Sequence, residues 1–194
     1  MSFNNNGISK EMEWVILSEE ALRQSGKLYD QEPIPATKGP FEGCDTLTEV
    51  VIDNTERKIP YRAYANCSNL TSVIIEEGVE EIDAFAFASC SSLKSIALPE
   101  SLTTLYDCVF EGCESLTELT LPSQMEWLGE FLCYHCDNLS KVYCKAPVPP
   151  EANSDMFFST SENLRIYVPS RSVEAYRSAE YWSEYADQIV GYDF

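Results

Sequence analysis

The sequence predicts an α/β repeat fold: a solenoid of about five 23-residue repeats, with a parallel β-sheet along one side and a helical cap at the C-terminus. Three observations support this prediction. A stretch that begins with cysteine occurs five times, each copy starting 23 residues after the one before. An alternation of apolar residues with period two follows each cysteine, and apolar residues near the C-terminus have the spacing of an amphipathic helix. The 194-residue chain is long enough for one domain, and 44% hydrophobic residues favour a folded core over disorder.

The repeat is defined by columns of residues that keep the same step of 23. The cysteine column is Cys44, Cys67, Cys90, Cys113 and Cys136. Four apolar columns are Leu47, Leu70, Leu93, Leu116 and Leu139; Val50, Val73, Ile96, Leu119 and Val142; Ile52, Ile75, Leu98, Leu121 and Cys144; and Ile59, Ile82, Leu105 and Leu128. An aromatic column, Phe41, Tyr64, Phe87 and Phe110, ends at Cys133. Chance does not keep so many columns in phase without a gap.

The apolar alternation after each cysteine predicts one short β-strand per repeat, with one face buried. Pro99 and Pro122 should close two of these strands because proline has no N–H for a ladder. The rest of each repeat returns the chain to the start of the next strand. Successive strands are therefore expected to be parallel neighbours, about 4.8 Å apart, stacked because no copy buries its apolar edge alone.

The predicted domain has three parts. Residues 1–40 are read as an N-terminal cap or degenerate repeat, with a strand at "EWVIL" and a helix capped by Ser18; residues 41–145 hold the regular repeats. Residues 146–194 are read as a degenerate last repeat, ending in the strand "LRIYV", and a C-terminal cap. In that cap Ser172 should begin one or two short amphipathic helices, whose buried side would be Val173, Tyr176, Trp182, Tyr185, Ala186 and Ile189.

The pattern C-x-x-L-x-x-V-x-I-P-x-x-L-x-x-L-x-x-x-x-F, over roughly residues 41–145, resembles the bacterial BspA-like leucine-rich repeat. The C-terminal "IYVPSRSVEAYRSAEYWSEYADQIV" is similar to that family's usual ending. The resemblance implies a curved leucine-rich repeat solenoid with its strands on the concave face. It also implies a surface-exposed bacterial protein that acts in adhesion or protein binding.

The repeat itself accounts for five of the eight cysteines, since a residue that recurs in one column fills one recurring buried niche. The competing interpretation is a zinc site at "CYHC", with Cys133, His135 and Cys136 as ligands and Cys108, Cys113 and Cys144 nearby. Disulfide bonds between repeats fit poorly because stacked side chains run parallel. We therefore expect free, metal-free cysteines and no cofactor.

Composition and motifs argue against several classes of function. The chain has 13 Lys and Arg against 32 Asp and Glu, which gives a formal net charge of −19. This charge argues against binding to nucleic acid or to an anionic membrane surface. No apolar stretch is long enough to insert into a membrane, and no phosphate-binding, dinucleotide or metalloprotease motif occurs. The single histidine, His135, lies between cysteines that packing already explains. The chain is predicted not to be an enzyme.

The residues between the buried strand positions should point outwards and form a binding surface for a protein ligand of unknown identity. The candidate residues are Val51, Ile74, Ala97, Thr120 and Tyr143, with Lys141 and Lys145 beside Tyr143. The surface changes from acidic at Glu49, Asp53 and Glu76 to basic at the two lysines. Tyr143 is the expected anchor, because aromatic residues dominate binding hot spots. The alternative is that β-propensity alone placed Val51 and Ile74 there.

Three functions remain open. The first is a non-catalytic protein-binding module for cell-surface recognition or adhesion. The second is an acidic inhibitor or immunity-type protein in the cytoplasm that binds a basic partner, and the third is a structural spacer. The resemblance favours a surface or secreted location, whereas "MSFNNNGISKEMEWVIL" has no signal-peptide pattern and favours the cytoplasm if Met1 is the native start. The sequence sets no oligomeric state.

Overall fold

The computed structural model describes residues 38–194, which form a parallel β-solenoid of about six turns. The expectations for residues 1–37, including "EWVIL" and the Ser18 helix, lie outside the described residues. The long strands are β1 (Glu49–Ile52), β3 (Ser72–Ile75), β5 (Ser95–Ala97), β7 (Glu118–Leu121), β9 (Lys141–Cys144), β11 (Arg165–Pro169) and β12 (Ile189–Tyr192). The two-residue strands are β2 (Lys58–Ile59), β4 (Glu81–Ile82), β6 (Thr104–Leu105), β8 (Trp127–Leu128) and β10 (Glu151–Ala152).

The predicted parallel strands at the five regular repeats are confirmed, in sequence order. In the first ladder Val50 pairs with Val73, a step of 23 residues, and Ile166 pairs with Ile189 across the same step. Between β9 and β11 the step is 24, since Val142 pairs with Ile166. The last repeat therefore carries one extra residue but keeps its strand in register.

The long strands form two hydrogen-bonded groups, β1-β3-β5 and β7-β9-β11-β12. Strands β5 and β7 remain neighbours without a paired ladder between them. The short strands form a separate parallel sheet, β2-β4-β6-β8-β10, at the column of Ile59, Ile82, Leu105 and Leu128. The sequence showed this column as apolar but gave no strand there, because a two-residue strand has no measurable alternation.

The core is a set of parallel rows, one residue from each turn. The leucine column is buried throughout, and the inward residues of the long strands, such as Val73 and Ile75, pack against it. The aromatic column forms a stack: ring centroids lie 5.5 Å apart between Phe41 and Tyr64, 5.3 Å between Tyr64 and Phe87, and 6.0 Å between Phe87 and Phe110. Offset stacking of this kind adds to the burial of apolar area.

Each turn of the solenoid reverses through two residues in the left-handed region. One column, directly before the cysteines, is Gly43, Asn66, Ser89, Gly112 and His135, all with φ between 55° and 73°. The other is Arg62, Phe85, Cys108 and Phe131, with φ between 52° and 59°. Left-handed backbone costs roughly 1–2 kcal/mol for a residue with a side chain, so the stacked packing must offset this strain.

The C-terminal cap differs from the prediction in two respects. It contains helix α1 (Val173–Ser178) and a 3₁₀-helix (Trp182–Tyr185), but Ile189 lies in β12 and not on a helix. Ser172 does not cap α1, because its hydroxyl donates to the carbonyl oxygen of Pro147 at 2.7 Å. Buried Trp182 donates from Nε1 to the carbonyl of Pro150 at 2.9 Å, and this bond ties the cap to the last turn.

The first test of this architecture compares Leu93→Ala with Ile74→Ala. Leu93 is fully buried between neighbouring turns, whereas the Ile74 side chain is 49% exposed. We expect Leu93→Ala to cost about 2–5 kcal/mol of unfolding free energy, because a cavity remains. Ile74→Ala should cost less than about 1 kcal/mol. Denaturant melts of both variants beside wild type measure this, and equal losses would contradict the assignment of inward and outward faces.

Candidate protein-binding face

The cysteine column makes a hydrogen bond between successive turns, in addition to filling a small space. In four of the five column cysteines Sγ donates to the backbone carbonyl of the aromatic residue 26 positions earlier: Cys67 to Phe41 at 3.2 Å, Cys90 to Tyr64 at 3.1 Å, Cys113 to Phe87 at 3.3 Å and Cys136 to Phe110 at 3.0 Å. The thiol therefore matches its niche in both size and donor capacity, which alanine or valine would not. This role extends the packing interpretation.

The "CYHC" residues do not point to one centre. Cys133 and Cys136 are buried in the core, whereas His135 is exposed, with Nδ1 3.2 Å from the hydroxyl of Ser159 and its ring tilted against that of Tyr134. Within residues 38–194 no three His, Cys, Asp or Glu side chains are arranged to hold a metal ion. Burial raises the pKa of the Cys133 thiol well above its ordinary value, which opposes a thiolate nucleophile or ligand there.

The short-strand sheet contains one fully buried charge, Asp83. Its Oδ2 lies 3.1 Å from Nζ of Lys58, and its Oδ1 accepts the N–H of Ala84 at 2.8 Å. Lys58 also lies over the ring of Tyr106, 4.6 Å from its centroid. Burial raises the pKa of Asp83, and the nearby Lys58 only partly offsets this. Because the pair joins two successive turns, its role is structural.

The predicted binding residues lie together on the outer side of the long strands. We call this surface, formed by the outward residues of β1, β3, β5, β7, β9, β11 and β12, the long-strand face. Val51 and Ile74 are 62% and 49% exposed, Ala97 and Thr120 are exposed, and Tyr143 is half-buried. Ladder pairing aligns Val51 with Ile74, Ile74 with Ala97, and Thr120 with Tyr143. No finding tests whether these residues bind a ligand.

An aromatic cluster at the C-terminal end of this face was missed by the sequence reasoning. Tyr167 stacks on Tyr143 with 4.8 Å between ring centroids, and Tyr192 meets both rings edge-on at 5.6 Å. Phe194 extends the cluster from Tyr192 at 5.0 Å. The outward column had been followed only through the five regular copies. Continuing it by 24 residues from Tyr143 would have reached Tyr167.

Charges on the face follow the predicted direction, with one change. Exposed Lys141 aligns with exposed Arg165 in β11, so the basic end has two exposed cations on one row. Nη1 of Arg165 also donates to the carbonyl of Leu164 at 2.8 Å. Lys145, by contrast, makes an ion pair with Glu100 at 2.8 Å, which lowers the pKa of Glu100. Lys145 still lies beside Tyr143, but its ammonium contacts Glu100, and Arg165 adds a second exposed cation at this end. Binding through Lys141, Tyr143 and Lys145 stays a prediction.

Two adjoining grooves, of about 460 and 450 Å³, lie away from the long-strand face, beside the short strands β8 and β10. Both are lined by Trp127, Pro149, Pro150 and Glu151.

No helix within residues 38–194 has the length and apolar character needed to cross a membrane.

Comparison with known proteins identifies the family. The BspA-type leucine-rich repeat region matches residues 37–174 in six copies. The chain belongs to this family, whose members are typically non-catalytic binding modules. The sixth copy is the repeat that the sequence reasoning described as degenerate. No curated protein matches the chain.

Solved structures share the fold. A leucine-rich repeat protein of T. pallidum is 26% identical, with a TM-score of 0.62, covering 84% of this chain and 80% of that one. A leucine-rich repeat protein of Eubacterium ventriosum is 21% identical, with a TM-score of 0.53, covering 66% of this chain and 33% of that one.

The cysteine arrangement predicts slow reaction of the thiols in the folded protein. Burial raises the pKa of Cys90 to about 12 and that of Cys67 to about 11. Alkylation near neutral pH should therefore be slow until denaturant is added, and all eight cysteines should then react without a reductant. Mass spectrometry of labelled protein measures this. Disulfide-linked peptides or stoichiometric zinc would contradict it.

The same thiols set a pH dependence of stability. In the unfolded chain Cys67 and Cys90 ionise near a pKa of about 8.5, whereas burial raises the pKa of both, so in the folded protein they keep their protons to higher pH. The stability that these two thiols contribute is complete below the unfolded pKa and is lost as pH rises through the folded pKa. The free energy of unfolding should therefore fall as pH rises from about 8.5 towards the folded pKa values. A Cys90→Ala variant, compared with wild type at each pH, should show a shallower decline.

The buried ion pair gives a further prediction. Lys58→Met should leave the Asp83 carboxylate without its cation and lower the free energy of unfolding by about 3 kcal/mol. This loss is at the low end for a broken buried ion pair because Lys58 is partly exposed. The pKa of Asp83 should then rise further, so the loss should shrink at acid pH, where the carboxyl is neutral. Adding Asp83→Asn should abolish that pH dependence. An equal loss at all pH values would show that the ion pair is not responsible.

Proposed function

We propose that this protein is a non-catalytic module for cell-surface recognition or adhesion, which binds a protein ligand through its long-strand face. The supporting observation is the cluster of Tyr143, Tyr167, Tyr192 and Phe194 beside Lys141 and Arg165. Tyrosine and arginine are the residues most enriched at the energetic centres of protein interfaces. Large aromatic rings gathered on the outer surface of the sheet are more than the solenoid needs for its own stability.

The fold supports this function in a second way. A solenoid holds one outward residue of each strand in a fixed column, so the surface is preorganised before a ligand arrives. Preorganisation lowers the entropy cost of binding, and hence raises affinity for a given contact area. The stacked rings of Tyr143 and Tyr167 already restrict each other. They can therefore act as a rigid anchor.

An acidic inhibitor of a basic protein is the second candidate, favoured by the −19 charge and by Glu49, Asp53 and Glu76 on the same face. Its binding would use the opposite end of the face from the aromatic cluster. The two candidates differ in salt dependence, because binding between opposite net charges weakens steeply as ionic strength rises.

The test is affinity capture with wild type and with a Tyr143→Ala/Tyr167→Ala variant. A genuine ligand should be retained by wild type and lose at least about tenfold affinity for the variant, as for a hot spot worth 2 kcal/mol. The matched control is Phe158→Ala, because Phe158 is 55% exposed but lies in a turn. Circular dichroism should show an unchanged fold for both.

Three results would contradict the proposal. One is a ligand retained equally by wild type and the tyrosine variant. Another is equal loss in the Phe158→Ala control. The third is binding that survives the tyrosine change but disappears with Glu49→Lys/Glu76→Lys in a salt-dependent manner, which would support the acidic inhibitor.

A further inference from the structure

The two halves of the long-strand face are complementary to each other. Strands β1, β3 and β5 present the acidic Glu49 and Glu76 and the exposed apolar residues Val51 and Ile74. Strands β9 and β11 present basic and aromatic residues instead, namely Lys141, Tyr143, Arg165 and Tyr167, while β7 in the middle of the face presents Glu118 and Thr120. A surface whose two halves complement each other can bind a second copy of itself through a two-fold axis.

The ladder register specifies what such an axis would bring together. A two-fold axis parallel to the strands, midway between β5 and β7, exchanges β1 with β11 and β3 with β9. Positions along each strand keep their row, as the pairing Glu49–Ser72, Glu118–Lys141 and Lys141–Arg165 defines it.

In that arrangement Glu49 of one copy faces Arg165 of the other. On the adjacent row Val51 faces Tyr167, and Ile74 faces Tyr143. Each apolar side chain thus meets an aromatic ring, and the exposed carboxylate meets the exposed guanidinium. The same contacts occur twice, once at each end of the face.

The other arrangement that keeps the strands of both copies aligned is disfavoured. An axis perpendicular to the strands would place each strand against the same strand of the other copy in the opposite direction, so Glu49 would face Asp53 and Lys141 would face Lys145. Acid would then face acid and base would face base. Because like charges across an interface cost free energy, only the first axis suits this charge pattern.

We propose that the long-strand face binds the same face of a second copy of this chain, with strands parallel and repeat order reversed. This proposal rests on the proposed function, in that it takes the face to be a protein-binding surface and names its partner. The contacts are concentrated at the two ends, because the central Ala97 and Thr120 are short. Because the contacts are confined to the two ends of the face, the dimer should be weak and concentration-dependent.

Sedimentation velocity over a concentration series tests the proposal with reciprocal charge variants. Variant A carries Glu49→Lys, and variant B carries Arg165→Glu. In variant A alone Lys at position 49 would face Arg165, and in variant B alone Glu at position 165 would face Glu49, so the self-association of each should weaken at least tenfold. In an equimolar mixture of A and B, opposite charges meet at both ends of the face, so the two variants should associate with each other.

The matched control is Glu114→Lys, which makes the same charge change as variant A at an exposed residue outside the long strands. It should dimerise like wild type. A wild-type protein that stays monomeric at the highest concentration reached, a mixture of A and B that stays monomeric, or a control that loses dimerisation like variant A would each overturn the proposal.

Failure here is distinguishable from failure of the proposed function. A monomeric protein that still captures a ligand through Tyr143 and Tyr167 would refute the second copy as partner and leave the binding face intact. The opposite result is a dimer that mixing of A and B restores, while no other protein binds through Tyr143 and Tyr167. Self-association would then be the sole function supported for this face.

Discussion

The rest of this structure depends on hydrogen bonding between successive turns at a fixed step. Within one turn the reversals close with their own hydrogen bonds, such as those from Ala65 to Arg62 and from Cys67 to Tyr64, but the strand residues pair only with strands of neighbouring turns. The next turn supplies the partners: the N–H of Tyr64 donates to Ala86, that of Phe87 to Val109 and that of Phe110 to Leu132. A buried backbone group without a partner costs about as much as a lost hydrogen bond. The step of 23 residues is therefore a requirement of the backbone before it is a feature of the core.

Side chains reinforce the same step. Thr71 Oγ1 donates to the carbonyl of Thr48, and Asn69 Nδ2 donates to that of Asp45 in the preceding turn. The cysteine thiols do the same from inside the core. A hydroxyl or amide suits the wet edge of the turn, whereas a thiol is the donor that loses least on burial, because it is weakly polar. The position of each donor relative to the solvent thus decides which residue type occupies its column.

The sequence predicted the parts of the fold that repeat and missed the parts that do not. Parallel strands, buried columns and outward residues such as Val51 followed from period and alternation alone. The spacing of apolar residues by three and four positions near the C-terminus predicts Ile189 on a helix, but the same spacing also fits a residue just beyond the end of a helix. The capping role of Ser172 was wrong because a tertiary partner, Pro147, competes for its hydroxyl, and single-sequence reasoning does not include such partners. The same limit hid the Lys145–Glu100 pair, which joins residues 45 positions apart.

The candidate site shows why the end of a solenoid is the hardest part to predict and the most informative to inspect. The extra residue before β11 breaks the constant step, so Tyr167 and Arg165 fall out of the columns unless the insertion is recognised. The structure restores the register, because the ladder between β9 and β11 must still satisfy its hydrogen bonds. That restoration stacks Tyr167 on Tyr143 and aligns Arg165 with Lys141. The backbone constraint that fixes the fold therefore also assembles the aromatic and basic surface, from residues that the regular period alone would not have brought together.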